Sequence, residues 1–356
     1  MKTFRALISL VRAFGFKPKY LLLFGFRVAI QCSMVVFLAL DRLLLPGVTS
    51  TPLDRPVFLI GHLRSGTTFL HRFLLASCPE LRGLQMWEML CPSVTARWLM
   101  RPFRGLLGRI SLDAVYDPKI HRTGLLTAET DDIAIAFRYS DGLLSWIYND
   151  AWAAEESDAV VSEAVHASSR SRAFPVYMRG LYQRVVRRGG SRILSKSFYG
   201  LFCVDHIREV FPDARLLLLI RDPAEAVPSM MSMQRSVQGA LHDHERDPDL
   251  AARYYRNLYR ASLAYYTEFH RIAVAHPDAV VVVTHRQLIE RFEETFTRIC
   301  GGVDIELTDA LKGKIAQQIS SQKAHHSGHE YGSDQFEISP EQITRDFAFI
   351  YENYEV

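Results

Sequence analysis

Pro56-Val57-Phe58-Leu59-Ile60 runs directly into Gly61-His62-Leu63-Arg64-Ser65-Gly66-Thr67-Thr68, or PVFLI-GHLRSGTT, and this stretch decides the fold. An apolar run of strand length enters a glycine-punctuated turn. Phe69, Leu70, Phe73 and Leu74 then recur at helical spacing. A strand–loop–helix of this kind aims backbone N–H groups and a helix N-terminus at one point, the geometry that holds a phosphate or a similar anion. The spacing is that of a P-loop, G-x-x-x-x-G-K-[ST], with Thr67 where a nucleotide hydrolase carries its phosphate-bridging lysine. The nearest cation is Arg64, inside the loop. The anion expected here is therefore not the one a nucleotide hydrolase binds.

Outward from the loop, further strands are predicted at Ile193–Ser195, Leu216–Ile220 and Val280–Thr284, with helical patterns between them. The spacing predicts helices over Phe174–Arg188, Val204–Val210, Asp249–Ala275 and Pro340–Tyr354. Leu250, Tyr254, Leu258, Tyr265, Phe269 and Ile272 form an apolar stripe on the long one, read as core. Strands alternating with helices give an α/β, P-loop-like three-layer fold with a central parallel sheet, whose ligands sit at the carboxyl ends of strands. Residues 81–155 are less regular and hold all four tryptophans, which predicts an aromatic-rich helical insertion serving as pocket wall or lid. Ser320–Asp334 reads as a polar loop.

The chain has 356 residues, 48% of them hydrophobic, enough for a large core. A net charge of +3 suits a small anionic ligand or an anionic membrane surface and argues against nucleic acid, for which a basic stripe would be needed. The five cysteines are scattered with no C-x-x-C pair, so neither a disulfide framework nor a zinc site is expected, and a reducing, cytoplasmic compartment is.

Residues 1–50 form a separate basic and apolar helical segment ahead of a 51–356 domain. Lys2, Arg5, Arg12, Lys17 and Lys19 precede the apolar Leu21–Leu45 run, which Arg27, Gln31, Asp41 and Arg42 interrupt. The expectation is a helix pair lying on a membrane surface through residues 1–45. Spanning the bilayer, or packing on the chain's own domain or on a second copy in a homodimer, are the alternatives.

A second anion site is predicted at Leu216–Ser229, LLLLIRDPAEAVPS. A buried strand seldom ends in arginine unless an anion waits there, and Arg221 offers a bidentate fork. Ser229 can add one hydrogen bond. Asp222 fits a helix cap, with Pro223 in the first turn. An acid partner is the structural alternative for Arg221.

GHLRSGTT followed by RDP-x5-S resembles the sulfotransferases that use 3′-phosphoadenosine 5′-phosphosulfate (PAPS). LDRLLLPG (40–47), LHRFLLASCPELRG (70–83), Trp87-Glu88, Ser195-Lys196-Ser197 and FPDARLLLLIRDP (211–223) extend the likeness to a bacterial-type branch over roughly residues 40–350. The resemblance implies that Arg64, Ser65, Gly66, Thr67 and Thr68 hold the 5′-phosphosulfate, and that Arg221 and Ser229 hold the 3′-phosphate. It implies PAPS as donor, 3′,5′-ADP as product, and no metal. Glu88 is the expected base by likeness to the glutamate of tyrosylprotein and bacterial relatives, with Lys196 stabilising the leaving phosphate or the transferring group. His121, His62, Glu129 and Asp131 are further candidates for the base. Two departures stand out: Leu63 replaces a common proline, and no histidine follows Lys196. Lys323, His325 and His326 are assigned to a cofactor-covering loop. The acceptor is expected to be a small molecule or lipid with a hydroxyl or amine and an apolar body. The competing readings are a P-loop nucleotide kinase or hydrolase and a non-catalytic, membrane-attached binding protein.

Overall fold

The computed structural model describes residues 2–110, 123–152, 168–186, 192–242, 244–323 and 336–356. Five strands form one parallel sheet: β1 (Val57–Gly61), β2 (Leu81–Arg82), β3 (Arg192–Ser197), β4 (Arg215–Ile220) and β5 (Val280–Thr284), in the order β2-β3-β1-β4-β5. The four strands predicted from sequence are present. β2 was not foreseen, because two residues are too few to show a period.

Because side chains alternate along a strand, β1 divides between two cores. Val57 and Leu59 join the core on one face, with Leu217 and Leu219 of β4. Phe58 and Ile60 join the other, with Leu216, Leu218 and Ile220. Burial on both faces is why these strands read as unbroken apolar runs. The first face is covered by helix α3 (Thr67–Ser77) and the Phe292–Gly302 and Asp309–Lys323 helices; the second by Ser168–Val186, Pro223–His242 and Pro248–Ala275. This is the expected three-layer α/β fold. The six stripe residues of the Pro248–Ala275 helix are all buried. Asp247 caps that helix by accepting from the Leu250 N–H at 3.0 Å.

Two sequence expectations need correction. The C-terminal helix is two, Pro340–Asp346 and Ala348–Asn353, broken where Phe347 turns inward against Tyr259 and Tyr266. Residues 320–323, read as loop, continue the Asp309–Lys323 helix. The Ser320 and Ser321 hydroxyls donate to the carbonyls of Ala316 and Gln317, so both are satisfied inside the helix. The rest of that predicted loop, with His325 and His326, lies outside the described residues, as does the Lys323 side chain.

The N-terminal segment forms α1 (Lys2–Phe14) and α2 (Pro18–Leu44). Of the polar residues that interrupt α2, Arg27, Gln31 and Asp41 face the domain, while Arg42 is exposed. Arg27 donates to the carbonyls of Ala136 and Phe137, and Gln31 to those of Phe137 and Arg138. Asp41 is fully buried and accepts from the Ser93 hydroxyl (2.9 Å) and the Val94 and Thr95 N–H groups (2.9 and 2.8 Å), with Arg184 at 3.5 Å. Tyr20 bonds His242 Nδ1 at 2.9 Å. The opposite face, including Leu22, Phe26, Val36 and Leu43, is exposed.

Candidate active site

The parallel sheet brings the carboxyl ends of β1, β3, β4 and β5 to one edge. β1 lies centrally, with β3 on one side and β4 on the other, so the chain changes direction there and opens a crevice. A cavity of about 300 Å³ occupies this crevice.

Its floor is the Gly61–Phe69 turn. The Gly61 position stays glycine because a Cβ would stand 2.6 Å from the Leu219 carbonyl oxygen and 2.7 Å from Thr67 Cγ2. Gly66 caps α3 at φ +89°, where a Cβ would also meet the His285 ring at 2.8 Å. Leu70 N–H bonds the Gly66 carbonyl, so the preceding amides of α3 have no helical acceptor and face the crevice end of the helix. Thr67 and Thr68 line the cavity. Ser65 does not: its hydroxyl and its N–H both turn back to the His62 carbonyl, at 2.7 and 3.1 Å, and lock the turn.

Lys196, on β3, enters from one side. It is buried, and its Nζ lies 3.5 Å from both Thr68 Oγ1 and Glu129 Oε2. Burial lowers its pKa, and the Glu129 carboxylate opposes that shift. Glu129 is buried too, lines the cavity, and has Arg72 at 3.8 Å from its other oxygen. The β3 exit is fixed by Asp132, which accepts from the Phe198 and Tyr199 N–H groups at 3.0 and 2.8 Å. Asp131 sits just behind. Its N–H holds the Lys196 carbonyl at 2.8 Å, and Tyr182 donates to its carboxylate at 2.6 Å. Burial pushes the Asp131 carboxyl up to about 7.

Glu88 is placed elsewhere. It is the third residue of the Met86–Leu90 helix and completes a capping box with Gln85, whose N–H it accepts at 3.0 Å. Its other oxygen takes Arg82 at 2.8 Å, with Arg97 3.7 Å away. Met86 lines the cavity while Glu88 does not. His121 lies outside the described residues.

The second predicted anion site meets the first. Arg64 Nε donates to Ser229 Oγ at 3.0 Å, and Arg221 Nη1 donates to the Arg64 carbonyl at 3.0 Å. The Arg64 side chain thus reaches the RDP-x5-S motif. Arg221 also pairs with Glu225 at 2.8 Å, and Glu225 is exposed enough to swing away. Asp222 caps its helix by accepting from Ala224 N–H at 2.8 Å, as expected.

Sequence reasoning missed His285, which follows β5, packs on Gly66 and sits near Arg221. Its signal was its place, directly after a strand's carboxyl end. His62 lines the cavity with Nδ1 on the Leu63 carbonyl at 2.8 Å. A carbonyl only accepts, so Nδ1 carries the proton and Nε2 lies 3.1 Å from the Ser262 hydroxyl, which also bonds the Leu258 carbonyl. Burial lowers His62 and His285 to about 4, and His71 to about 3.

These neutral histidines make the fold acid-sensitive. Their folded pKa values lie below the ordinary 6.5, so the unfolded chain binds more protons as the pH falls. The contribution is complete above pH 6.5, drains below it, and is gone beneath about 4 for His62 and His285 and about 3 for His71. For His62 alone the loss at pH 5 is on the order of 2 kcal/mol. Urea unfolding at pH 7 and pH 5 should show a clearly lower midpoint at pH 5. Equal midpoints would contradict this assignment.

Among the described residues no cluster of three or more His, Cys, Asp or Glu forms a metal site.

Several solved structures resemble the chain, two of them over nearly its whole length. Sulfotransferase STF9 from Mycobacterium avium superposes with a TM-score of 0.74 at 17% identity, covering 96% of this chain and 87% of that one. Sulfotransferase STF1 from Mycobacterium tuberculosis H37Rv gives a TM-score of 0.72 at 17% identity, covering 98% and 92%. At that identity the likeness is one of fold. No curated protein matches the chain in sequence. Residues 56–309, from the first residue before β1 to the start of the Asp309–Lys323 helix, match the sulfotransferase family, and the chain belongs to that family.

Proposed function

We propose that the protein transfers a sulfuryl group from PAPS to a hydroxyl or amine of an amphipathic acceptor. The observation that carries this reading is the convergence of two anion-seeking motifs on one cavity, with Arg64 linking them through its bonds to Ser229 and Arg221. A donor with separated 5′ and 3′ phosphates fits that pair. The α3 amides, Thr67, Thr68 and Lys196 would hold the 5′ end, and Arg221, Ser229 and Arg64 the 3′-phosphate. Glycines at 61 and 66 let the loop pack tightly against Leu219 and His285, which holds its shape around such a group. The bound donor supplies the sulfuryl group and a phosphate leaving group.

The chain's own residues supply orientation and charge. Lys196 places a cation beside Thr68, where negative charge grows on the leaving phosphate. Glu129 is the proposed base: it lines the cavity, and its carboxylate can take the acceptor's proton as the new S–O bond forms. Met86, Ile133, Leu144 and Tyr148, all from the 81–155 insertion, form an apolar wall for the acceptor. Of the insertion's tryptophans, Trp146 and Trp152 are core residues, so the wall is built from other side chains. Incubation with radiolabelled PAPS and a panel of alcohols, phenols and amines tests the reading: label should pass to apolar hydroxyl compounds. Label passing to none, with donor bound, would favour the non-catalytic reading.

The proposal includes peripheral attachment to the cytoplasmic face of a membrane. α2 is 27 residues long and apolar enough to span. Spanning would strip Arg27, Gln31 and Asp41 of their partners, and a central Arg alone costs about 2.5–3.5 kcal/mol. Lying flat keeps those bonds and buries the exposed face. Arg5 and Arg12 on α1 are exposed, and the neighbouring Val94–Leu107 stretch adds exposed Trp98, Phe103 and Leu106. Vesicles containing anionic lipid should sediment the protein and release it as salt rises. Phe26→Glu should weaken that binding severalfold, and equal recovery with neutral vesicles at any salt would contradict attachment by this face.

A further inference from the structure

A second cavity of about 260 Å³ lies beneath α1 and α2. Ala6, Leu7 and Leu10 of α1 and Leu23 and Phe24 of α2 line it, and its far wall is Tyr148. Tyr148 also lines the active-site cavity. Both cavities touch the Gly142–Asn149 and Pro223–His242 helices. The Pro223–His242 helix contributes Met233 and Gln234 to the first cavity and Ala240, Leu241 and His242 to the second. Gln234 and Ala240 are about 9 Å apart along a helix. Tyr148 therefore borders both the catalytic crevice and an apolar chamber whose roof is the exposed, membrane-suited helix pair. The chamber's charged groups, Lys19 and Arg27, are held at the carbonyls of Leu241 and of Ala136 and Phe137, which leaves its interior to hydrocarbon.

We propose that this chamber is the tail subsite for the acceptor: a single hydrocarbon chain ending in a hydroxyl, with the hydroxyl at Glu129 and Lys196 and the chain passing Tyr148 into the space under α1 and α2. This rests on the sulfuryl-transfer reading and specifies its substrate class as a single-chain amphiphile drawn from the membrane surface. The fit is chemical. The catalytic crevice gathers its charged groups, Arg64, Glu129, Lys196 and Arg221, around the strand-end floor, while Met86, Ile133, Leu144 and the shared Tyr148 give an apolar chain a wall beyond them.

Dodecanol carrying a diazirine at the end remote from its hydroxyl, photolysed with the full chain in the presence of 3′,5′-ADP, tests this without turnover. The label should map to α1, α2 or the Ala240–His242 end of its helix. Leu7→Trp should lower that labelling at least fivefold, and so should Ala240→Phe at an exposed position that folding tolerates. Both should reduce the kcat/KM ratio of dodecanol to butanol at least tenfold. Label confined to the catalytic crevice or scattered over the surface, or a chain-length ratio unmoved by both variants, would overturn the tail subsite. If 3′,5′-ADP itself fails to bind by calorimetry, the donor reading has failed instead, and the two failures are separable.

Discussion

Glu129→Gln is expected to lower kcat for sulfuryl transfer by about 10²- to 10⁴-fold, the range that a positioned general base supplies, with 3′,5′-ADP affinity changed by less than about threefold. The substitution keeps the shape and one acceptor for Lys196, so it removes the proton acceptor and little else. Glu88→Gln is the matched control. Glu88 closes a capping box and balances Arg82 and Arg97, and Arg97 is largely buried. Leaving Arg97 without its acid should cost about 3 kcal/mol of stability, seen as a lower denaturant midpoint, while turnover per folded molecule stays within a few-fold. The reverse pattern, with chemistry lost in Glu88→Gln and kept in Glu129→Gln, would return the base to the helix after the phosphate loop.

Arg221→Met should weaken 3′,5′-ADP binding by about 10- to 100-fold, as expected for a charge-assisted bidentate contact, and leave 5′-AMP binding nearly unchanged. The specificity of the loss matters more than its size. Arg221 also holds the Arg64 carbonyl and Glu225, so support of the loop is the competing role. A loosened loop would weaken both nucleotides, whereas loss of the 3′-phosphate contact weakens one. Glu225 competes for the same guanidinium from an exposed position, where such pairs are worth about 0–1 kcal/mol. Titrations of the variant with the two nucleotides separate these outcomes. Equal losses for both would assign Arg221 to loop support.

Much of this was legible in the chain. The GHLRSGTT turn, four strands and the RDP-x5-S motif are local patterns, fixed by periodicity and by glycine at two positions with no room for a Cβ. The placement of Arg64, Ser229 and Arg221 against one another follows from β1 and β4 being neighbours. The choice among acids was not legible. Glu88, Glu129, Asp131 and Asp132 are all buried, and only tertiary structure shows that Glu88 closes a helix cap, Asp132 holds the backbone and Asp131 takes the Tyr182 hydroxyl, while Glu129 lines the cavity. The orientation of α2 was half legible. Its polar interruptions were plain, but that Arg27, Gln31 and Asp41 share the domain-facing side needed their partners, which lie more than 50 residues away in sequence.

Calorimetry in the absence of divalent cations, comparing 3′,5′-ADP, 5′-AMP, adenosine 3′-phosphate and ATP, tests most directly whether one ligand bridges both motifs. The account predicts that 3′,5′-ADP binds with at least about tenfold higher affinity than either monophosphate, each phosphate adding a charge-assisted contact. ATP binding that requires magnesium and exceeds that of 3′,5′-ADP, or equal affinity for 5′-AMP and 3′,5′-ADP, would contradict it.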